Sequence, residues 1–280
     1  MQLARITYVK IGGPADHFCA PRSLAELQNI DHPHVFILGA GSNLLVADSG
    51  FRGCVISMEH FVKIHLADLL YVGAGMRLFP LLRYCQQQGL SGLECLAGIP
   101  GSLGGALAMN AGTSQGSISS CVESIELYSF SSRKVIRMPV SPEHFSYRAN
   151  HFLTPDTVIL GAYFKYTPDA VDAIQSKIMH ALEKRKASQP VSQLSFGSVF
   201  KNPPGESAWQ VIENIGLRGY KIGDAQFSEK HANFIINHGH ARAQDVKALI
   251  ELAQQRALAL GIALQTEVVM LGFDSGRQSL

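Results

Sequence analysis

The segment GLSGLECLAGIPGSLGGALAMNAG, residues 89–112, restricts most strongly how this chain can fold. It holds seven glycines in 24 residues and few charged ones. Glycine loses more conformational freedom on folding than any other residue, so such a segment destabilises a core unless some group needs the backbone to come close. Two explanations remain open from the residues alone. A flat, phosphate-bearing cofactor approaches the backbone here, or the glycines line a packing layer between a sheet and a helix.

A second glycine motif lies in the stretch VFILGAGSNLLV, residues 35–46. A Rossmann dinucleotide site needs G-x-G-x-x-G and a helix that opens at the turn, because the pyrophosphate binds at the helix N-terminus. Here Leu44 occupies the third glycine position, and the following LLVADSGFRG predicts a strand and a turn. The Rossmann interpretation therefore fails. The turn either binds phosphate through consecutive exposed N–H groups or connects two strands without any ligand.

Composition excludes several classes of protein. The chain has 280 residues, is 46% hydrophobic and 16% charged, and has a formal net charge of +2. No basic run marks a nucleic-acid surface, no stretch is long and apolar enough to span a membrane, and the histidines lack metal-ligand spacing. The five cysteines show no CxxC pair and indicate reduced thiols. We expect a soluble, cytoplasmic enzyme or ligand-binding module without metal, nucleic-acid or membrane partners, either a monomer or a weak oligomer.

The order of predicted elements indicates an α+β protein in three parts. Ser23 and Glu26 form a capping-box pattern that predicts a helix in SLAELQNI. The predicted strands are VFIL, LLVA, CVIS, IELYSF, KVIRMPV, TVILGAYFKYT and LQTEVVML. The further predicted helices are PLLRYCQQQ, DAVDAIQSKIMHALEKRKA, ESAWQVIEN and residues 243–260. We place the parts at residues 1–60, 61–166 and 167–272, and expect the tail at 273–280 to be mobile.

Three residues are candidates for chemistry. Ser198 follows a glycine but lies outside a G-x-S-x-G elbow, so it is a proton carrier, a hydrogen-bond donor or simply a turn residue. Glu267 is predicted in an otherwise apolar strand, where a carboxylate is costly without a partner; it is either paired structurally or functional. Arg148, in FSYR, could pair with it. Lys201 and Lys230, with their polar neighbours, supply donors suited to an anionic ligand.

With these residues in place, the chain resembles the UDP-N-acetylenolpyruvoylglucosamine reductase family, flavoenzymes of peptidoglycan precursor synthesis. The resemblance runs in family order from about residue 7 to residue 272. It rests on TYVKIGGPAD, LGAGSNLLVADSGFRGCVI, GLSGLECLAGIPGSLGGALAMNAG, FSYR, FGSVFKNP, IGDAQFSEKHANFIIN and TEVVMLG. The step from the strand TVILGAYFKYT straight into a helix is similar to the compact second type of this family.

The resemblance implies a non-Rossmann, two-part FAD-binding domain of PCMH/vanillyl-alcohol-oxidase-like type, followed by a C-terminal α+β substrate domain. The turn at residues 39–44 would wrap the FAD pyrophosphate. The FAD contacts implied in this way are Gly39, Ala40, Gly41, Ser42, Asn43, Leu44, Gly98, Ile99, Gly101, Ser102, Gly104, Gly105, Asn110, Ala111 and Gly112. The third part would close over the UDP-sugar substrate, and we expect its clustered donors to contact that substrate: Lys201, Asn202, Gln226, Lys230, His231 and Asn233.

The resemblance also implies a mechanism in two half-reactions. NADPH gives a hydride to FAD, and the reduced flavin passes it to the β-carbon of the enolpyruvyl group. Arg148 and Glu267 match the residues that polarise and stabilise the enolate-like species, and Ser198 matches the proton donor to the α-carbon. A desolvated Glu267 would be protonated. Because Arg148 lies in the second predicted part and the other two in the third, we expect the site to assemble at a domain interface.

Two short segments depart from the family pattern, and two other functions stay open. The family usually has Thr-Thr-aromatic-Arg where this chain has Thr7-Tyr8-Val9-Lys10, and Ala-Tyr-Gly-Gly-Glu where it has residues 113–117, TSQGS. One alternative is another flavin oxidoreductase on the same scaffold. The other is a non-catalytic flavin or nucleotide-sugar binding protein, against which the joint presence of Arg148, Ser198 and Glu267 argues.

Overall fold

The structure is a computed structural model that describes residues 1–273; the tail predicted to be mobile lies outside the described residues, apart from its first residue. Its α-helices are α1 (Leu24–Gln28), α2 (Leu78–Gln87), α3 (Leu103–Ala108), α4 (Val171–Ser188), α5 (Ala208–Asn214) and α6 (Ala243–Leu258). Its strands are β1 (Ala15–Cys19), β2 (Val35–Leu38), β3 (Leu44–Val46), β4 (Phe51–Ser57), β5 (Ile64–Leu66), β6 (Leu70–Gly73), β7 (Leu90–Ser91), β8 (Gly112–Thr113), β9 (Gly116–Ser117), β10 (Val122–Ser129), β11 (Lys134–Pro139), β12 (Phe145–Ser146), β13 (Ala149–Asn150), β14 (Thr157–Phe164), β15 (Thr167–Pro168), β16 (Lys221–Ile222), β17 (Ala225–Phe227), β18 (Ile235–Asn237) and β19 (Val269–Leu271).

The chain forms two compact units that are interleaved in sequence. Of the described residues, the first unit contains 1–17, 41–54 and 186–273, and the second contains 18–40 and 55–185. Each unit has its own hydrophobic core. The division into functional parts at residues 60 and 166 stays a prediction.

The second unit is built on a five-stranded antiparallel sheet with the order β11–β10–β14–β6–β5. Helix α2 buries Leu78, Leu81, Leu82 and Cys85 in the core of this unit. Helix α3 contacts β14 and β6, and Ala181 brings α4 into the same core. The apolar positions of α2 recur at helical spacing, which is why the sequence predicts the helix correctly. Gly89, with a φ of 68°, follows its end, as expected.

The first unit joins the N-terminal residues to the C-terminal part of the chain. Its core combines Val9, Ile11 and Leu45 with apolar residues of α5, α6 and the antiparallel sheet β16–β17–β18. Strand β3 pairs in parallel with β19, with Leu44 opposite Val269. The residues that follow the first glycine turn are therefore part of the same fold as the last strand of the chain.

Most predicted elements are present, and three of the differences concern segments discussed above. Ser23 accepts the Glu26 amide, but the Glu26 carboxylate accepts the amide of Arg22 at 2.8 Å and not that of Ser23, so the reciprocal half of the capping box is wrong. Helix α3 was not predicted, because two glycines in its first turn lower its helix propensity. The strand expected over LQTEVVML is shorter, and only Val269–Leu271 is regular.

Candidate functional site

The first glycine turn leads from β2 into strand β3, as expected for a non-Rossmann connection. Gly39, at the end of β2, lies against the start of α3. A Cβ on Gly39 would stand 2.5 Å from the Ser102 Oγ and 3.5 Å from the Gly105 backbone nitrogen. The second unit therefore brings together residues of both glycine segments, which lie about sixty residues apart in sequence.

Ser102 is the N-cap residue of α3, but its hydroxyl does not cap the helix. The residue is only 2% exposed, and its Oγ has no hydrogen-bond partner among the described residues. A buried hydroxyl without a partner is uncommon, since an unmade hydrogen bond costs free energy. This hydroxyl therefore suits a polar ligand at the junction of Gly39 and α3.

The second half of the turn belongs to the first unit and is held on both sides. Gly41 has a φ of 67°, its carbonyl accepts the Tyr8 amide at 3.0 Å, and a Cβ on it would stand 2.5 Å from the Ile6 oxygen. Asn43 donates its Nδ2 to the Glu267 carbonyl at 2.9 Å, and its own carbonyl accepts the Val269 amide at 3.2 Å. Asn43 thus connects the glycine turn directly to the backbone of Glu267.

Several glycines of residues 98–112 make room for atoms of the protein itself. A Cβ on Gly98 would lie 2.7 Å from the Arg185 Cδ, one on Gly104 3.0 Å from the Ala74 Cβ, and one on Gly112 2.3 Å from the Gly116 carbonyl oxygen. Gly105 is different, because the nearest atom to its Cβ position is the Ser102 Oγ at 3.5 Å. Close packing therefore accounts for part of the glycine content. It does not account for Gly105 and Ser102, which are consistent with a bound ligand.

Arg148 lies in the two-residue connection between β12 and β13, with a φ of 55°. Its Nη2 donates to the Gly112 carbonyl at 2.8 Å and its Nη1 to the Asn110 carbonyl at 3.4 Å. Asn110 returns the contact by donating its Nδ2 to the Ser146 carbonyl at 2.8 Å. The second unit therefore joins a predicted catalytic residue to a predicted cofactor segment.

Ser198 and Glu267 are connected through the backbone of Val199 in the first unit. Ser198 forms a β-bridge with Phe234, and Phe200 forms one with Thr266. The amide of Glu267 donates to the Val199 carbonyl at 2.8 Å. The expectation that Glu267 lies within a strand is wrong, because Glu267 precedes β19. The residue is half-buried. The short ladder nevertheless keeps Ser198 and Glu267 on adjoining backbone segments.

Asn233 holds this ladder from the other side. Asn233 is 4% exposed, and its side chain forms two hydrogen bonds with the backbone of Phe200. The Asn233 Oδ1 accepts the Phe200 amide at 3.0 Å, and the Asn233 Nδ2 donates to the Phe200 carbonyl at 2.8 Å. Its backbone carbonyl also accepts the Val199 amide at 2.9 Å. Both functional groups of this predicted substrate contact are therefore already bonded within the protein.

The other five predicted substrate contacts also lie in the first unit. The Asn202 Oδ1 accepts the amide of Ala208 at the start of α5, and Gln226 bonds Gly219 and His238. Lys230 donates its Nζ to the Lys186 carbonyl at 2.5 Å. Lys201 is half-buried, and its amide donates to the Gln265 carbonyl.

His231 packs edge-on against Phe234, with ring centroids 4.9 Å apart. Its Nδ1 is buried and has no hydrogen-bond partner in the described part of the chain. Burial lowers the pKa of this imidazole, and the charge of Arg218 lowers it further. His231 is therefore neutral at physiological pH and offers a polar ring nitrogen to a ligand.

Comparison with known proteins identifies the family. Residues 189–271 match the model for the C-terminal domain of UDP-N-acetylenolpyruvoylglucosamine reductase, and residues 16–137 match an FAD binding domain. The reductase of Trichlorobacter lovleyi is 41% identical over 98% of this chain and 92% of its own length. The chain belongs to the UDP-N-acetylenolpyruvoylglucosamine reductase family. The resemblance found in the sequence is confirmed.

Other relatives agree with this assignment across the whole chain. The reductase of Geobacter metallireducens is 40% identical over 96% of this chain and 92% of its own length. The crystal structure of UDP-N-acetylenolpyruvylglucosamine reductase (MurB) from Thermus caldophilus is 34% identical, with a TM-score of 0.87 and 97% of each chain covered. The expected α+β class, with an FAD-binding domain before a C-terminal domain, is confirmed, and so is FAD as the cofactor.

The structure also adds a residue that sequence reasoning missed. Arg185, in α4, is half-buried beside Gly98, whereas its sequence neighbours Lys184 and Lys186 are exposed. In the sequence all three belong to one basic helix end, EKRK, which looks like a solvated face. The spacing of apolar residues in α4 contains no signal that distinguishes Arg185, because its burial depends on contact with a distant segment.

Within residues 1–273, no helix is long and apolar enough to cross a membrane. In the same range no group of three or more His, Cys, Asp or Glu side chains is arranged to hold a metal ion.

Proposed function

We propose that this chain is an FAD-dependent reductase that converts UDP-N-acetylglucosamine enolpyruvate to UDP-N-acetylmuramate with NADPH, a step of peptidoglycan precursor synthesis. The observation that carries this proposal is the match to curated reductases over nearly the whole length of both chains. The joint presence of Arg148, Ser198 and Glu267 in the chain supports it.

The residues at the glycine segments fit FAD. The unpartnered Ser102 hydroxyl, Gly39 and Gly105 would bind polar groups of the cofactor in the second unit. The wider set of FAD contacts implied by the resemblance, at residues 39–44, 98–105 and 110–112, is retained as part of this proposal. When bound, FAD supplies hydride transfer from NADPH to the β-carbon of the enolpyruvyl group.

Arg148 stabilises the negative charge that develops on the substrate carboxylate and α-carbon. Its guanidinium is held by the Asn110 and Gly112 carbonyls, so little reorganisation is needed during the reaction. A fixed cation in a site shielded from water stabilises charge that appears only in the transition state. Glu267 polarises the same group, and its backbone is held by Val199 and Asn43.

Ser198 gives a proton to the α-carbon and so completes the reduction. A serine hydroxyl is a weak acid, so it must be well positioned relative to a basic carbanion. Its backbone position is supported by the bridge to Phe234 and by Asn233, which binds the next two residues. We therefore assign Asn233 to positioning this segment, while Lys201, Asn202, Gln226, Lys230 and His231 line the path of the UDP-sugar.

We further propose that the enzyme works in the cytoplasm. Cys85, Cys95 and Cys121 are free thiols. Free thiols are typical of a reducing compartment. The expected monomer or weak oligomer stays a prediction, which sedimentation of the holoenzyme would test.

An anaerobic absorption experiment tests the proposed function. The purified protein should show an oxidised flavin spectrum that NADPH bleaches and UDP-N-acetylglucosamine enolpyruvate restores. UDP-N-acetylglucosamine, which lacks the enolpyruvyl group, is the control and should restore nothing. Bleaching without recovery would show another flavin oxidoreductase on this scaffold. A protein that binds no FAD would contradict the proposal entirely.

A further inference from the structure

Arg185 is a half-buried cation for which the described residues supply no counter-charge. Its Nε is fully buried and has no hydrogen-bond partner, and no hydrogen bond or salt bridge to its guanidinium is found within residues 1–273. A buried donor that lacks a hydrogen bond costs free energy, and this donor belongs to a cation. The Nε therefore points to a bound acceptor, which an anion would supply.

The position of Arg185 identifies the neighbourhood of that group. A Cβ on Gly98 would lie 2.7 Å from the Arg185 Cδ and 3.3 Å from its Nε, and Gly98 has a φ of 74°. Glycine at this position is therefore required for the arginine side chain to lie against the segment. Arg185 consequently reaches residues that the proposed function assigns to the flavin.

Arg148 is the charged group that acts on Arg185. Burial lowers the pKa of the Arg185 guanidinium, and the nearby positive charge of Arg148 lowers it further. Two arginines of the second unit therefore lie within electrostatic reach of each other. Because Arg148 is assigned to the reacting end of the site and Arg185 packs against Gly98, we place Arg185 at that end.

The proposed reaction supplies an anion at this end. FAD that accepts a hydride without a proton becomes negatively charged, so that NADPH and FAD give NADP⁺ and FADH⁻. We propose that Arg185 is a cofactor-contacting residue that stabilises the negative charge of the reduced flavin and thereby raises its reduction potential. Protein charges near a flavin ring tune its electronic properties in this way. The inference rests on the proposed function but makes a separate measurement possible.

The reduction potential of the bound flavin tests the proposal without any sugar substrate. The holoenzyme, Arg185→Met and Arg185→Lys are equilibrated with reference dyes under anaerobic reduction. Loss of the charge should make reduction about tenfold less favourable, a fall of about 30 mV for a two-electron couple. Arg185→Lys should fall less, because it keeps the charge. Arg83→Met, an exposed arginine of α2 in the same unit, is the control and should not change the potential.

The outcomes separate this inference from other roles. An unchanged potential in Arg185→Met with FAD bound would overturn it. The same unchanged potential with weaker UDP-sugar binding would assign Arg185 to the substrate carboxylate, which also overturns it. A purely structural arginine would lower the melting temperature without moving the potential. If Arg185→Met does not retain FAD, the neutral but polar variant Arg185→Gln replaces it, and a potential equal to that of the wild-type enzyme overturns the proposal.

The proposed function is tested by a different result. Recovery of the flavin colour with the enolpyruvyl sugar in the wild-type enzyme depends on the substrate and not on the Arg185 variants. A failed recovery with a shifted potential would therefore overturn the substrate and keep the assignment of Arg185.

Discussion

Arg148 has a left-handed backbone conformation that most non-glycine residues avoid, with a φ of 55°. Such a conformation persists where surrounding contacts determine it, and it is frequent at functional sites. Here the two carbonyls of Asn110 and Gly112 hold the guanidinium. The geometry thus depends on the planar, multidentate form of arginine.

Arg148→Lys should lower the rate of sugar reduction about 100-fold while FAD stays bound, because an ammonium cannot reproduce the two fixed donors. Stopped-flow reoxidation of the reduced flavin by the enolpyruvyl sugar measures this rate. Arg133→Lys is a matched control, since Arg133 has the same φ of 55° but lies exposed in the turn after β10. Equal rates for wild type and Arg148→Lys would remove Arg148 from the catalytic residues.

Ser198→Ala should leave flavin reduction by NADPH intact and slow sugar reduction at least about 100-fold, because the proton donor to the α-carbon is lost. Measuring the two half-reactions separately by stopped flow distinguishes these effects. Ser192→Ala, an exposed serine of the preceding loop, serves as the control. If both half-reactions run at the wild-type rate, another group donates the proton.

At the scale of elements, each unit contains segments that are held together by short contacts between distant parts of the chain. Asn233 and Glu267 hold the segment Ser198–Phe200 from opposite sides by backbone and amide hydrogen bonds. In the second unit, α4 lies against the segment at Gly98 through Arg185 and Leu182. These contacts leave no room for larger side chains, so single substitutions there should affect whole segments.

Gly98→Ala should destabilise the protein by about 3 kcal/mol, combining left-handed strain of about 1–2 kcal/mol with overpacking against Arg185. Gly205→Ala isolates the strain, because Gly205 has a similar φ of 78° but no atom within 4 Å of its Cβ position. It should cost only about 1–2 kcal/mol. Urea unfolding measures both free energies, and an equal loss in the two variants would show that the contact with Arg185 is not tight.

At the scale of the whole molecule, the proposed FAD contacts come from segments far apart in sequence, at residues 39–44, 98–105 and 110–112. Only folding can bring such segments into one binding site. FAD should therefore bind the folded chain and not the unfolded one. That the catalytic residues assemble at a domain interface stays a prediction.

Adding FAD to the apoprotein at a hundredfold excess over its Kd should raise the free energy of unfolding by about 2.7 kcal/mol, because ligand binding stabilises only the folded state. Thermal unfolding at several FAD concentrations measures this dependence. Adenosine monophosphate at the same concentrations is the control and should stabilise less. A melting temperature independent of FAD would contradict the assignment of the glycine segments.

Much of the fold and site could be predicted because the decisive signals are local. Helical spacing of apolar residues predicted α2 and α6, and Leu44 in place of a third glycine excluded the Rossmann turn. The segment containing Ser198 was identified by its sequence. That Glu267 lies outside a regular strand could not be predicted. The apolar pattern continues through this segment, but the structure forms an isolated bridge at Thr266 and a regular strand only at Val269–Leu271.

The sequence by itself determined the family, the α+β class and the identities of the candidate residues, because turn chemistry and periodicity act over a few neighbours. Only the tertiary structure decided what their side chains do. Asn43 bonds Glu267 across 224 positions and Asn233 bonds Phe200 across 33, and Arg185 is half-buried while Lys184 and Lys186 are exposed. Burial and pairing depend on which segments meet in space, and that is set by packing of the whole chain.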